Sequence, residues 1–158
     1  QPGTYFNTEV TFKYMPFNVQ AALGYAQFQR IDELVGKKRW IWQGFCERLS
    51  DVSDILLNPE PDYVTNGVWA TALVFGETHG MTRDIALQEL PKLGVPTRPF
   101  FYPLSSLPAY PGRENDGRKN NPVAYHTSEH GINLPCALNL TDHDLDTVSK
   151  GIHRLLGL

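Results

Sequence analysis

The run His126-Thr127-Ser128-Glu129-His130 has the spacing of metal chemistry. In an H-x-x-E-H run on a helix, two imidazoles four residues apart share a face and could share a zinc ion. Such a site needs a long buried helix and a third ligand from a later one. Gly131 follows at once here, so the pair reads as surface histidines near a helix end, and no metal is expected. Asp142, Asp144 and Asp146 alternate too tightly to converge from one helix, and read as first-turn acids favoured by the helix dipole. Ser105 and Ser106 have no activating base nearby in sequence, which argues against a hydrolase nucleophile. Trp40, Trp42 and Trp69 lack the neighbouring cations that base stacking would want, and read as core or interface. No glycine-rich phosphate loop is present. What remains is Thr97 to Tyr110, dense in aromatics and prolines with one arginine, Arg98. Bulky aromatics and arginine spent on a loop mark a candidate binding surface.

The elements that must position these residues follow from periodicity and breakers. Residues 1–17 read as an extended lead-in. A long helix begins at Asn18, with apolar residues from Val19 to Leu49 recurring at steps of three and four, and Gly36 as the point where it bends or divides. Gly67–Phe75 reads as a buried strand, and Thr82 caps a short helix running to Leu90. The three prolines of residues 95–103 permit an edge strand but not a central one. Residues 104–121 read as irregular, Pro122–Glu129 as a short helix, and residues 131–135 as a small strand. Thr141 with Asp144 forms a capping box for a last helix whose apolar face is Leu145, Val148, Ile152 and Leu155. Helices alternating with strands imply an α/β (α+β) layer, a small sheet covered by helices.

The length, 158 residues, suits one domain. Lysine and arginine number 14 against 17 acids, without a basic stripe, so neither nucleic acid nor an anionic membrane is the expected partner. No apolar run spans a bilayer. Cys46 and Cys136 lie far apart and form no disulfide framework, which fits a reducing cytoplasm.

Three blocks carry a resemblance. The first is Lys13-Tyr14-Met15-Pro16-Phe17-Asn18-Val19-Gln20-Ala21-Ala22 with Gly24, Gln27, Arg30, Asp32 and Glu33. The second is Arg98, Pro103-Leu104-Ser105, Pro108 and Tyr110. The third is Gly131-Ile132-Asn133-Leu134-Pro135 before the Thr-capped final helix. In order and separation they resemble the C-terminal part of the DegT/DnrJ/StrS-type sugar nucleotide aminotransferases, which have the fold-type-I architecture. The stretch Arg98-Pro-Phe-Phe-Tyr-Pro103 resembles the branch that makes 4-amino sugars such as perosamine.

The resemblance implies a pyridoxal 5'-phosphate enzyme whose residues 18–158 form the small domain, inactive without an N-terminal cofactor domain that carries the Schiff-base lysine. It implies a homodimer, a nucleotide-linked keto sugar as substrate and an amino donor such as glutamate. Lys13, Tyr14 and Asn18 fall at cofactor-side positions, and Arg98, Tyr102 and Ser105 at the substrate side. Lys13 replaces the family's phosphate-contacting Asn, Met15 an Arg, and Ser105 a His. The dehydrase branch of the same family, and a non-catalytic dimerisation module, are the alternatives.

Overall fold

The computed structural model describes residues 6–12, 14–112 and 114–158. Its helices are α1 (Asn18–Phe28), α2 (Ile31–Arg48), α3 (Arg83–Glu89), α4 (Glu114–Asn120), α5 (Pro122–His130) and α6 (Asp142–Leu156). The strands β1 (Ile55–Leu57), β2 (Ala72–Phe75), β3 (Arg98–Pro99) and β4 (Gly131–Asn133) form one sheet in the order β1-β2-β4-β3, antiparallel throughout. The architecture is therefore the small helix-covered sheet expected from the sequence. All three residues of the central strand β4 are buried. Leu73 and Phe75 of β2 join Ile132 of β4 in the core beside Ile41 and Phe45 of α2 and Leu145, Val148 and Ile152 of α6.

Several elements differ from the sequence reading. The long helix divides at Gln29–Arg30, not at Gly36, which lies inside α2 with open space around it. Arg30 has non-helical backbone at the start of α2 and forms a bidentate pair with Glu33. Asn18 is the first helical residue and not the cap; Phe17 precedes it, and its N–H donates to the Gln20 side chain. Gly67–Thr71 stays outside the ladder because the Asn58 amide group occupies both the Ala70 carbonyl and the Ala72 N–H, so β2 starts at Ala72. Strand β1 and helix α4 lie where the sequence offered no alternation and too many breakers. The capping box at α6 forms as read. Thr141 Oγ1 accepts from the Asp144 N–H, and the Asp144 carboxylate accepts from the Thr141 N–H at 2.8 Å. The two-residue β3 is an edge strand, as its prolines require.

Helices α2 and α6 are clamped along their length. Gly44 lets the Leu145 side chain in so closely that a Cβ at Gly44 would lie 2.6 Å from Leu145 Cδ1. One turn on, Arg48 reaches Asp146 at 2.6 Å and Asp142 at 3.0 Å. At the end, His153 Nδ1 faces the Ser149 carbonyl at 2.8 Å and Nε2 faces Asp51 at 3.0 Å. Acceptors at both ring nitrogens favour the imidazolium. The Ser149 carbonyl, and after it Asp51, hold the His153 pKa above its ordinary value, while the His153 bond holds the Asp51 carboxyl below its own.

Two outcomes follow from this packing. A Cβ at Gly131 would stand 2.4 Å from the Thr127 backbone carbonyl, which cannot retreat without unwinding α5. Gly131→Ala should therefore cost about 1–3 kcal/mol, the usual range for overpacking, read as a fall of several degrees in the thermal midpoint; an unchanged midpoint would contradict the packing. For the pair at the α6 end, His153 has a raised folded pKa, so its stabilisation is complete below about pH 6.5 and is lost as pH rises through the folded value. Asp51 has a lowered pKa, so its share is present above about pH 3.9 and is lost as pH falls through its folded value. The difference in thermal midpoint between the parent and Asp51→Asn should be greatest near pH 5–6 and shrink by about pH 9. A pH-independent difference would show that the pair contributes no charge interaction.

Candidate functional site

A cavity of about 480 Å³ opens between α2, the segment before β2, and the β3–β4 edge. Lys38, Trp69, Thr97, Arg98, Asn133 and Cys136 line it, with no acidic side chain among its walls. Lys38 Nζ donates to the Cys136 carbonyl at 2.5 Å. The Arg98 side chain forms no hydrogen bond or ion pair among the described residues, while its backbone pairs β3 with β4 opposite Asn133. The Thr97 hydroxyl is buried without a partner.

Trp69 is set at the rim of this cavity by a chain of polar contacts that starts on α2. Arg39 grips Glu60 with both terminal nitrogens, at 2.8 and 3.0 Å, and also donates to the Asn66 carbonyl. Glu60 accepts from the Asn66 N–H, and the Asn66 side chain accepts from the Val68 N–H at 2.8 Å. Arg39, and then the Asn66 N–H, hold the Glu60 carboxyl below its ordinary pKa. The result is Val68 at a φ of +44°, a backbone region a β-branched residue rarely enters. Val68 is buried and Trp69, next to it, is 65% exposed.

A smaller cavity of about 130 Å³ lies between Arg83, Tyr102, Arg118 and Tyr125. Its cations are already engaged. Arg83 pairs with Asp84, donates to Ser128 and lies over the Tyr102 ring at 4.5 Å. Arg118 pairs with Glu129 and lies over the Tyr125 ring at 4.6 Å. The Ser105 hydroxyl hydrogen-bonds the Tyr125 hydroxyl at 3.0 Å.

The residues that the sequence suggested for the substrate side are divided between surroundings: Arg98 lines the larger cavity, Tyr102 the smaller one, and Ser105 bonds Tyr125, which also lines the smaller one. Of the cofactor-side residues, Lys13 lies outside the described residues. Tyr14 is 84% exposed and lies against Phe12, with ring centroids 6.1 Å apart. The Asn18 side chain accepts from the neighbouring Val19 N–H. Both belong to a long exposed apolar stretch, Phe12, Met15, Phe17, Val19, Leu23, Tyr25 and Phe28, and α1 has no buried residue.

His126 and His130 stack with ring centroids 4.4 Å apart, and Glu129 is committed to Arg118. Among the described residues no group of three His, Cys, Asp or Glu side chains is placed to hold a metal ion. One sequence expectation fails here. The tryptophans do have cations: Lys37 sits 3.5 Å from the Trp40 ring centre, Arg39 lies over Trp42, and Trp69 shares a cavity with Lys38 and Arg98. The partners of Trp40 and Trp42 stand three residues away, on the same helix face, a spacing legible in the sequence. Those of Trp69 arrive only through the fold.

Of the described lysines, Lys38 lines the larger cavity; its ammonium is held by the Cys136 carbonyl, and no carboxylate is among the residues that line that cavity.

Comparison with known proteins shows which class this architecture belongs to. The fold superimposes on that of an aminotransferase from Streptoalloteichus hindustanus with a TM-score of 0.70 at 26% identity, over 88% of this chain and 36% of that one. A Streptococcus pneumoniae chain named as a sugar aminotransferase, solved in a PLP form, gives 0.74 at 24% identity over 89% and 36%. The DegT/DnrJ/EryC1/StrS aminotransferase family profile matches residues 1–153, and the chain belongs to that family. Pyridoxal phosphate is the cofactor that goes with it. Among curated relatives, GDP-perosamine synthase of Caulobacter vibrioides is 30% identical over 93% of this chain, and that of Vibrio cholerae 28% over 94%. The chain spans 39% and 40% of the length of these two relatives.

The Ser105–Tyr125 contact yields a direct check. Tyr125→Phe and Ser105→Ala should each cost about 0.5–1.5 kcal/mol, and the double variant no more than either alone, because one hydrogen bond is being removed. Chemical denaturation of the three variants measures it; additive losses would show that the two hydroxyls act separately.

Proposed function

We propose that this chain is the small-domain part, residues 18–158 with the lead-in 1–17, of a perosamine-synthase-like aminotransferase. The complete protein would move an amino group from a donor such as glutamate to a nucleotide-linked keto sugar. Bound pyridoxal phosphate supplies the electron sink for that exchange. The Schiff-base lysine, and the carboxylate for the pyridinium, would lie in a separate cofactor domain, so the present chain is inactive by itself. The complete enzyme is a cytoplasmic homodimer in this reading; no helix among the described residues is long and apolar enough to cross a membrane.

One observation carries the proposal: the exposed apolar side chains Phe12, Tyr14, Met15 and Phe17 run on into those of α1, an 11-residue helix with no buried residue. Helices shorter than about 12–15 residues are marginal in water unless a partner buries one face. A covering domain and a second subunit meet that need. Lys13, Tyr14 and Asn18 are assigned to the cofactor side of the completed site, where an ammonium suits a phosphate dianion. Arg98, Tyr102 and Ser105 are assigned to the sugar nucleotide side. Relatives named as synthases and transaminases favour amino transfer over the dehydrase reading.

The test is a comparison of two proteins. The full-length polypeptide, given pyridoxal phosphate, glutamate and a GDP-linked keto sugar, should release 2-oxoglutarate and an amino sugar. The 158-residue chain alone should give neither product nor a borohydride-trappable cofactor adduct. Stoichiometric trapping on a lysine of the short chain would overturn the division of labour, and a full-length protein that aminates no nucleotide sugar would overturn the activity.

A further inference from the structure

We propose that Asn66 is a site of self-modification. Its side-chain amide closes on the Gly67 nitrogen, releases ammonia and leaves an aspartyl or isoaspartyl residue at position 66. The reaction is independent of the amino transfer proposed for the complete enzyme.

Asn66-Gly67 is the only Asn-Gly pair in the sequence. Ring closure needs the nitrogen after the asparagine to reach the side-chain carbon, and glycine, without a Cβ, leaves the backbone free to bring it there. The structure supplies the remaining conditions. Asn66 Oδ1 accepts from the Val68 N–H at 2.8 Å, which folds the side chain back along the Gly67 peptide and draws electron density from Cγ. The leaving group, Asn66 Nδ2, and the nucleophile, the Gly67 N–H, have no hydrogen-bond partner among the described residues. Gly67 is exposed, with nothing within 4 Å of where a Cβ would stand, so water and base reach the peptide. Other asparagines lack a free nucleophile. Asn58 and Asn121 precede prolines, and the N–H groups after Asn133 and Asn139 are spent on the Thr71 and Ala137 carbonyls.

The Gly67 nitrogen gives up its proton to a solvent base and bonds to Asn66 Cγ. The Cγ–Nδ2 bond breaks, and the departing nitrogen takes a proton from solvent to leave as ammonia. Water then opens the cyclic imide at one of its two carbonyl carbons, and nothing is oxidised or reduced. Opening at Cγ restores the original peptide with an aspartyl side chain. Opening at the main-chain carbon routes the chain through Cγ and turns the Asn66 main-chain carbonyl into a free carboxylate.

The surroundings favour the second product. The Asn66 main-chain oxygen already accepts from Arg39 at 2.6 Å, so the new carboxylate forms against a guanidinium. The oxygen on Cγ, which accepts from the Val68 N–H, becomes the chain carbonyl and keeps that bond within reach. The added backbone atom also lengthens the segment just before Val68, which is held at a φ of +44°.

The test follows the folded full-length protein in mildly alkaline buffer made with heavy-oxygen water. Peptide mass spectrometry, with fragmentation that separates isoaspartyl from aspartyl products, reads each asparagine. Asn66 should take up heavy oxygen about tenfold or more faster than Asn58, Asn121, Asn133 or Asn139, with isoaspartyl product in excess. Gly67→Ala, which the open space around Gly67 accommodates, should slow the reaction about tenfold or more. Its thermal midpoint should stay within a degree or so of the parent, which separates lost chemistry from lost folding. The folded protein should also react at least as fast at Asn66 as the urea-unfolded chain. An Asn66 that reacts only when unfolded, or a Gly67→Ala protein that reacts at the parent rate, would overturn the proposal.

Discussion

The approach of α2 to α6 at Gly44 and Leu145 sets where the other parts of this molecule lie. With no side chain at residue 44, Leu145 enters between the helices, and Ile41 and Phe45 on one side meet Val148 and Ile152 on the other over Leu73 and Ile132 of the sheet. Once that face of α2 is committed to the core, its neighbours have no freedom of direction. Lys38 and Arg39 emerge toward β4 and the segment before β2, where one lines the cavity and the other pins the Val68 backbone. Packing, here, is what aims the charges. A core contact and a candidate binding surface are two faces of one helix.

The same helix shows what is unbalanced in the molecule. From Ile41 onward α2 is well buried, yet toward Ile31 and through α1 the apolar side chains face water. Each large aromatic side chain removed from water yields on the order of 1.5–3 kcal/mol, and Phe12, Tyr14, Phe17, Tyr25 and Phe28 all remain outside. Soluble proteins rarely leave so continuous an apolar strip uncovered. The proposed covering domain and partner subunit would resolve that imbalance, and would put the residues proposed for the cofactor side at the seam between those parts.

Much of the fold was legible wherever one residue decides a local structure. Thr141 and Asp144 place the start of α6, Thr82 that of α3, and the prolines around Arg98 keep β3 at an edge. Elements set by distant partners were not legible. β1 exists because it pairs with β2, and β2 is cut short because the Asn58 side chain, 14 positions before Ala72, takes that residue's N–H. The division of the first helix at Arg30 involves neither proline nor glycine, so no breaker announced it. The site was legible only by type. Arg98 stood out as a residue whereas Trp69 read as core or interface, and Lys38 beside Arg98, with the Arg39–Glu60–Asn66 chain behind Trp69, are products of tertiary structure. Ser105 stood out through its block, and its actual partner, Tyr125, lies 20 residues later on α5.

The central claim is that the strip from Phe12 to Phe28 is the face by which this chain joins the rest of an aminotransferase. Amide hydrogen exchange, compared between the 158-residue chain and the full-length protein, tests it most directly, with α6 as the internal reference. The account predicts that α1 amides in the short chain exchange close to the unprotected rate while α6 stays protected, and that α1 becomes orders of magnitude slower in the full-length protein. Equal α1 protection in the two proteins would contradict it, since the helix would then need no partner to cover it.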